Sequence, residues 1–489
     1  LLHHEQFTCL WDEDAARQRE IPSLVARDLS QLREGATPAI RPLQAITLLP
    51  DKLLAAVSRR FASWAEWKAS NPYDEKDNVD EKKERVSLFR EARATEWRDG
   101  RAGVLRLGYV SADFGDHAVG HLTKGLWRLH NRSFVSVACY SLSLDDGSEE
   151  YSTARRLCDT FRDVHNLSAA SIAERVSEDG VDILFDLMGY TRRARAEVFS
   201  LRPSPIQVSF LGWAGSTHSP YIDYVVLDTV VSPPEKISAQ FSEKAIYVPG
   251  SYYVNDYQAT YGDLEFLNAA EVEVIRREEG LPQQSAGTVL ACFNQHYKIE
   301  AQVFKIWTNI LHRAPTAVLW LLDWGGHAVQ NLKAELAASG LSPLRIVFSR
   351  VRPVKEHLVR AAAADLFLDT LSYGAHTTAA DVLWMGVPVV TLPLEKMITR
   401  VTTSMLTALA CNDTIVNNTK EYEDLVVELT DSPARLNELR SCVQERSRQP
   451  DSPLFDTRSW VRHFELLLQL AWDAYSKSLP KEHIFLNSR

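Results

Sequence analysis

Four short stretches carry residue types whose spacing can do chemistry. In SYGAHTTAADVLWMGVP (372–388), His376, Thr377 and Thr378 stand together, with Asp381 about one helical turn further on. A helix beginning there offers backbone N–H groups with no intrahelical acceptor and the positive end of its dipole, and two threonine hydroxyls add donors. That combination suits a phosphate or diphosphate. A threonine that merely caps the helix leaves the same pattern, so both readings stand. NQHYK (294–298) supplies Gln295, Tyr297 and Lys298. Lys298 can balance negative charge developing on a leaving phosphate, or lie idle on the surface. In VRPVKEHLVRA (351–361), His357 and Arg360 are three apart and share a helix face, where they flank a planar base or face solvent. SADFGDHAVGHL (111–122) puts His117 and His121 near a helix start. Gly115 and Gly120 have the outer spacing of a Walker loop, but His121 occupies the lysine position, which excludes that reading.

The elements that must position these residues follow from the apolar runs. VLRLGYV, FVSVACY, VDILFDLMG, IQVSFLG and YVVLD read as strands alternating with amphipathic helices between about 104 and 250. The same grammar restarts with TVLACF, a helix expected over 299–312, and then AVLWLL, RIVFSR, ADLFLDT and VPVVTL. Strand–helix alternation implies parallel sheets, and in such sheets ligands bind beyond the carboxyl ends of the strands. All four chemical stretches directly follow a strand-like run. The expected architecture is α/β, two Rossmann-like domains facing across a cleft. A helical segment (1–100) precedes them, the first domain and its connector take 101–285, and the second domain with closing helices takes 286–489.

Composition narrows the class. The chain has 489 residues, 45% hydrophobic and 24% charged, with a formal net charge of -10. An acidic balance of this size argues against a general nucleic-acid binder, which needs a basic face for phosphates. No apolar run approaches the roughly 20 residues that span a bilayer, and the start lacks a signal-peptide layout, so no membrane partner is expected and the cytoplasm or nucleus is. Leu1 in place of Met is the expected mark of a longer protein trimmed here. Six scattered cysteines without C-x-x-C spacing indicate neither a disulfide framework nor a zinc site, and Cys139 and Cys292, inside apolar runs, read as core. The acidic D-x-D of metal-dependent nucleotide-sugar enzymes occurs only as Asp12-Glu13-Asp14, far from the strand ends. G-x-G-x-x-G, G-x-S-x-G and H-E-x-x-H are all missing. A metal-free diphosphate site, needing no cofactor, is what remains.

LGYVSADFGDHAVGHL, LRPSPIQVSFLGWAGS, CFNQHYKI, FSRVRPVKEHLVR and YGAHTTAADVLWMGVP together resemble the catalytic region of the O-GlcNAc transferase family. CLWDEDAARQ and LLPDKLLAAVSRRFA are similar to the segment that joins that family's tetratricopeptide repeats to its catalytic region. The resemblance implies a GT-B fold and metal-independent, inverting transfer of N-acetylglucosamine from UDP-GlcNAc to Ser or Thr hydroxyls of intracellular proteins. It implies that Thr377, Thr378, Gln295 and Lys298 hold the diphosphate, with His376 and Asp381 at the ribose and phosphate. His357 and Arg360 would address the uracil, and His117 the sugar and acceptor. Gly212 to Gly215 would line the sugar pocket with Tyr297. The chain departs from the pattern at Val354, where the family has a lysine, with Lys355 one place later. It departs again at Tyr373, where animal-type members have Cys, and in lacking their long insertion between the two halves; Tyr190 matches those members. The SPINDLY-like branch, which uses GDP-fucose on the same scaffold, tends to have Asn in place of Gln295 and lacks the histidine before the Thr pair. NQHYK and AHTT therefore favour the GlcNAc donor.

Overall fold

The computed structural model describes residues 9, 14–33, 35–71, 79–98 and 103–486. Asp12 and Glu13 of the D-E-D motif, and residues 74–78 of the mixed-charge run DEKDNVDEKKER, lie outside the described residues. The chain divides into two compact units: Gln18–Asp256 with Thr457–Arg489, and Leu1–Arg17 with Tyr257–Asp456. Among the described residues no helix is long and apolar enough to cross a membrane.

The first unit is built on an eight-stranded sheet. Its strands are β1 (Leu105–Ser111), β2 (Val135–Ser141), β3 (Thr160–Asp163), β4 (Ile183–Asp186), β5 (Ile206–Ser209), β6 (Tyr224–Leu227) and β7 (Lys244–Tyr247). The second unit contributes β8 (Val289–Cys292), β9 (Val318–Asp323), β10 (Ile346–Arg350), β11 (Leu366–Leu368) and β12 (Val389–Val390), and β13 (Ile484–Phe485) returns to the first. The orders are β13-β7-β6-β5-β4-β1-β2-β3 and β10-β9-β8-β11-β12. Every pairing within the two sheets is parallel. Helices cover parallel sheets on both faces, so the central strands are buried along their length instead of alternating. β4, β5, β6, β8 and β11 are buried at every residue. Each apolar run read as a strand is one. β3, β7 and β13 went unread; TFRD, in β3, is polar and only partly buried, so it carries no apolar signal, and β7 (KAIY) and β13 (IF) are short.

The two units differ from the expected segments. The division falls after Asp256, not at 285, and the helix Thr457–Ser476 belongs with the first sheet. Trp460 stacks on Phe210 with ring centroids 5.8 Å apart, Phe464 lies 5.6 Å from Phe185, and Glu465 accepts from His130 Nδ1 at 2.9 Å and from the Asn131 amide at 2.8 Å. The helices of the first hundred residues are likewise docked on this unit. Lys68 pairs with the buried Glu197 at 2.8 Å. Arg93, in the helix Val79–Arg98, forks onto Asp182 with contacts of 2.8 and 2.9 Å, and Asp182 also accepts from the Arg106 amide at 2.8 Å.

The cysteines correct the sequence reading. Cys139 is disulfide-bonded to Cys158, and Cys411 to Cys442, while Cys9 and Cys292 are free and buried. The pairings span 19 and 31 residues with no motif to announce them. The first arises because β3 runs parallel to β2 with Phe161 opposite Cys139, which brings Cys158, just ahead of β3, alongside.

Removing one partner of a buried, hydrogen-bonded ion pair strands the other charge, at a cost of about 3–5 kcal/mol. Arg93→Ala should therefore lower the denaturant midpoint of the first unit by a corresponding amount. A shift under about 1 kcal/mol, the range of an exposed pair, would show that this contact does not anchor the helix.

Candidate active site

In the second unit, three strand ends supply the chemical loops. β11 ends at Leu368, and the next residue, Asp369, is 1% exposed. Its Oδ1 accepts from the Thr370 amide at 2.8 Å and the Ala375 amide at 2.6 Å, while Oδ2 accepts from Thr391 Oγ1 at 2.7 Å. Burial pushes its carboxyl up to about 6, against the opposing pull of these donors and of the nearby Lys298 charge. The loop from 369 to 376 is thereby folded around a buried carboxylate. Further pins are Thr370 Oγ1 to the Tyr373 carbonyl (2.5 Å), the Gly374 amide to Ile398 (3.1 Å) and Thr402 Oγ1 to the Ala375 carbonyl (2.9 Å).

This loop delivers the helix Thr377–Trp384, with His376 at its N-cap position but making no side-chain cap. Thr378 Oγ1 donates to Asn294 Oδ1 at 2.5 Å, and Asn294 Nδ2 donates to Thr370 Oγ1 at 2.8 Å. The β8 and β11 loops are thus hydrogen-bonded to each other. In the β8 loop a single 3₁₀ turn, His296–Lys298, aims Lys298 at the β11 loop. Lys298 Nζ donates to the Gly374 carbonyl at 3.0 Å and sits 4.1 Å from the centroid of the Tyr373 ring. Loss of water lowers its pKa to about 8, although Asp369 opposes the shift.

Three expected ligands are placed in more detail. His376 Nε2 lies 3.2 Å from the Ile398 carbonyl, so that nitrogen carries the proton; burial and Lys298 push its pKa down to about 3, and the ring is neutral. His357 and Arg360, in the helix Val354–Ala361, are both buried, which removes the solvent-facing reading. Arg360 donates to His357 Nδ1 at 3.2 Å and to the Arg350 carbonyl at 2.7 Å. A guanidinium has only donors, so His357 Nδ1 accepts and Nε2 holds the proton. Burial and the Arg360 charge push His357 down to about 3, and its ring meets Phe293 edge-on at 4.9 Å. Lys355 is no substitute for the lysine missing at Val354, because it turns to the exposed Asp263 at 2.6 Å.

Asp381 is buried, accepts from the Tyr257 hydroxyl, and has its carboxyl pushed up to about 7 by burial. The Tyr257 contact engages one of its two carboxylate oxygens. Gln295 is exposed, and Tyr297 meets Tyr373 edge-on at 5.8 Å.

His117, Gly212 and Gly215 belong to the first unit. His117 caps the helix Ala118–Leu129, its Nδ1 accepting from the Val119 amide at 3.3 Å, with Asp113 at 3.6 Å and half of the side chain exposed. Gly120 of the near-Walker spacing is explained by contact: a Cβ there would lie 2.2 Å from the Gly115 carbonyl. Gly212 is explained similarly, since its Cβ would lie 1.8 Å from the Leu187 carbonyl, whereas one at Gly215 would meet nothing closer than Ile46 Cδ1 at 3.5 Å. Tyr190 donates to the Thr217 carbonyl at 2.6 Å and anchors the loop that follows.

Among the described residues, Asp116, His121 and Glu150 form one group with ligand atoms within 4.8 Å of one another. His121 presents Nε2 to Asp116 (3.0 Å) and Nδ1 to Glu150 (3.2 Å), so no single ion can take the imidazole and both carboxylates. Lys124 also holds Glu150 at 3.0 Å.

The sequence pattern of glycosyl transferase family 41 matches residues 83–274 and 268–464. The chain belongs to that family. An Arabidopsis thaliana relative, described as a probable UDP-N-acetylglucosamine–peptide N-acetylglucosaminyltransferase and named SEC, is 36% identical over 489 residues, 99% of this chain and 47% of its own length. A Caenorhabditis elegans protein described as a UDP-N-acetylglucosamine–peptide N-acetylglucosaminyltransferase is 29% identical over 78% of this chain and 42% of its own length. The Arabidopsis protein named SPINDLY is 26% identical over 76% of this chain and 40% of its own length. The family 41 chain thus spans about half the length of these curated relatives. In fold it is similar to a lysine-to-methionine mutant of an O-GlcNAc transferase from Thermobaculum terrenum, with TM-score 0.69, 24% identity, and 94% and 88% of the two chains covered. The two parallel α/β sheets are therefore those of a GT-B glycosyltransferase, as the sequence implied.

Asp369 and Asn294 were not singled out from this family 41 sequence, although both stand at the carboxyl end of a strand-like run, where chemistry was sought. The glycine contacts give a direct test. Gly212→Ala forces a backbone shift and should destabilise by about 1–3 kcal/mol, as overpacking does, while Gly215→Ala stays within about 0.5 kcal/mol. Equal melting temperatures for the two variants would contradict the Leu187 contact.

Proposed function

We propose that this chain transfers N-acetylglucosamine from UDP-GlcNAc to Ser or Thr hydroxyls of protein acceptors, with inversion and without a metal ion. The observation that carries the reading is Lys298. Its ammonium is desolvated, fixed at 3.0 Å from the Gly374 carbonyl, and attached to the loop that delivers the Thr377–Thr378 helix start. The helix start holds the diphosphate through Thr377 and the Thr378 amide, since the Thr378 hydroxyl donates to Asn294, with Gln295 at its edge. Neutral His376 lies beside Lys298, and neutral His357, held by Arg360, offers Nε2–H to the uracil. Arg360 acts on the base through His357, to which its Nη2 donates, while Nη1 donates to the Arg350 carbonyl.

In the reaction, the acceptor oxygen forms its bond to the anomeric carbon from the face opposite UDP while the bond from that carbon to the diphosphate oxygen breaks. The electron pair leaves with UDP, which gains about one negative charge, and Lys298 stabilises that charge more in the transition state than in donor binding. The hydroxyl proton goes to His117 or to the donor phosphate. His117 Nδ1 accepts from the Val119 amide, so Nε2 of the neutral ring carries the proton, and His117 takes the hydroxyl proton only in the other tautomer, with that amide contact given up. SEC and SPINDLY are both described as probable UDP-N-acetylglucosamine–peptide N-acetylglucosaminyltransferases, which supports the GlcNAc donor. The acceptors are proteins of the cytoplasm or nucleus, which requires the two cystines to be open there, because glutathione keeps such thiols reduced. Neither nucleic acid nor a membrane is a partner in this reading.

Purified chain with an acceptor peptide and either UDP-GlcNAc or GDP-fucose, read by mass spectrometry, tests the donor. A mass increase with GDP-fucose alone would replace the reading with the fucosyl one. UDP binding measured by calorimetry should survive a chelator, and a strict need for magnesium or manganese would refute the charge balance proposed here.

Lys298→Met should retain UDP binding yet lose on the order of a hundredfold or more in kcat. Since the cation is the active form and its pKa in the free protein is lowered to about 8, kcat/KM should fall as pH rises through about 8. A profile flat to pH 10, or near-normal turnover by Lys298→Met at saturating donor, would remove Lys298 from the leaving-group role.

A further inference from the structure

Lys298, half-buried, needs something to hold it, because an ammonium drawn partly out of water loses hydration and a four-carbon stem has many rotamers. The ring face of Tyr373 lies 4.1 Å from Nζ and the Gly374 carbonyl 3.0 Å from it. The tyrosine is itself immobilised. Tyr297 meets its ring edge-on at 5.8 Å, and the His376 ring lies 5.3 Å away. Its carbonyl accepts from Thr370, whose amide is held by Asp369.

We propose that Tyr373 is a positioning residue for sugar transfer, its ring face and the adjacent Gly374 carbonyl fixing the Lys298 ammonium so that its remaining N–H donors serve the diphosphate. The inference rests on the functional reading above and deepens it. The negative face of an aromatic ring attracts a desolvated cation and imposes no competing hydrogen bond, so it holds the ammonium without consuming a donor. A carboxylate in the same place would neutralise the charge that the leaving group needs. The groups facing Lys298 are Asp369 beyond β11, Cys292 at the end of β8, the neutral His376, and the Tyr297–Tyr373 pair. Asp369 supplies the carboxylate among them, and its oxygens are already engaged by the Thr370 and Ala375 amides and by Thr391.

Because the ring stabilises the protonated lysine, its loss lowers the lysine pKa and moves the alkaline limb of activity to lower pH. The test compares Tyr373→Leu, Tyr373→Phe and a chain carrying 3,4,5-trifluorophenylalanine at position 373, which keeps the ring shape but depletes its face of negative charge. The first readout needs no turnover: the pH dependence of Lys298 acylation by an amine-reactive reagent, followed by peptide mass spectrometry. Tyr373→Leu and the fluorinated chain should shift its midpoint down by about half a pH unit or more, and Tyr373→Phe by less.

The second readout is transfer from UDP-GlcNAc. Tyr373→Leu should lose roughly tenfold in kcat with KM for the donor changed less than about threefold, while Tyr373→Phe keeps most of kcat. The fluorinated chain also decides the matter if Tyr373→Leu does not fold. A midpoint in the fluorinated chain equal to that of the original protein overturns the proposal, as does a Tyr373→Phe loss as deep as that of Tyr373→Leu, which would assign the effect to the hydroxyl. If the unaltered protein transfers no sugar, the functional reading fails while the labelling still decides whether the ring positions Lys298.

Discussion

A buried carboxylate that receives backbone N–H groups immediately after a strand is the constraint on which the candidate site depends. An ionised aspartate out of water is tolerable only with several donors around it, and here the donors are the amides and hydroxyls of the chain that must turn. Asp369 gathers the Thr370 and Ala375 amides and the Thr391 hydroxyl, and in doing so fixes the path from β11 to Thr377. The same device recurs in the first unit. Asp186, the last residue of β4, accepts from the Met188 and Gly189 amides at 2.8 and 3.0 Å, and burial pushes it up to about 6. Asp228, directly after β6, accepts from the Val230, Val231 and Tyr252 amides at 2.8, 2.9 and 2.8 Å. Parallel strands demand that the chain leave the sheet at each carboxyl end, and an aspartate there ties off the turn.

From that anchor the electrostatics follow. The second unit keeps Asp369 and His357 buried and Lys298 and His376 half-buried within a few loops. Desolvation opposes every charge, so both histidines are neutral and become directional hydrogen-bonding groups. Lys298 remains the movable cation because Asp369, a carbonyl and a ring face surround it. An incoming diphosphate would raise the proton affinity of that lysine further, so the ammonium is best matched to the state in which charge leaves with UDP.

Arg93 and Asp182 play the corresponding structural part in the first unit. Their bidentate contact docks a helix from the first hundred residues onto the sheet and at the same time receives the amide at Arg106, in β1. The helices expected to be a mere connecting segment are thereby part of the unit that carries His117.

The sequence by itself determined the strands that are apolar along their whole length, the parallel class, and the loops where chemistry would lie. These are local properties: a strand buried on both faces must be apolar, and a ligand loop must follow a strand end. His376, Thr377, Thr378, Lys298 and His357 stood out as candidates for that reason. Tertiary structure alone decided the rest. TFRD becomes a strand only because β2 offers it an edge, and Cys158 meets Cys139 only through that pairing. Thr457–Ser476 returns to the first sheet through Trp460 and Phe464, whose partners lie about 250 residues or more away in sequence. Asp381 has the spacing of a ligand and accepts from Tyr257, and Gly212 looks like a pocket glycine but answers the Leu187 carbonyl. In each case the deciding partner is remote in sequence, and pattern reading sees only neighbours along the chain.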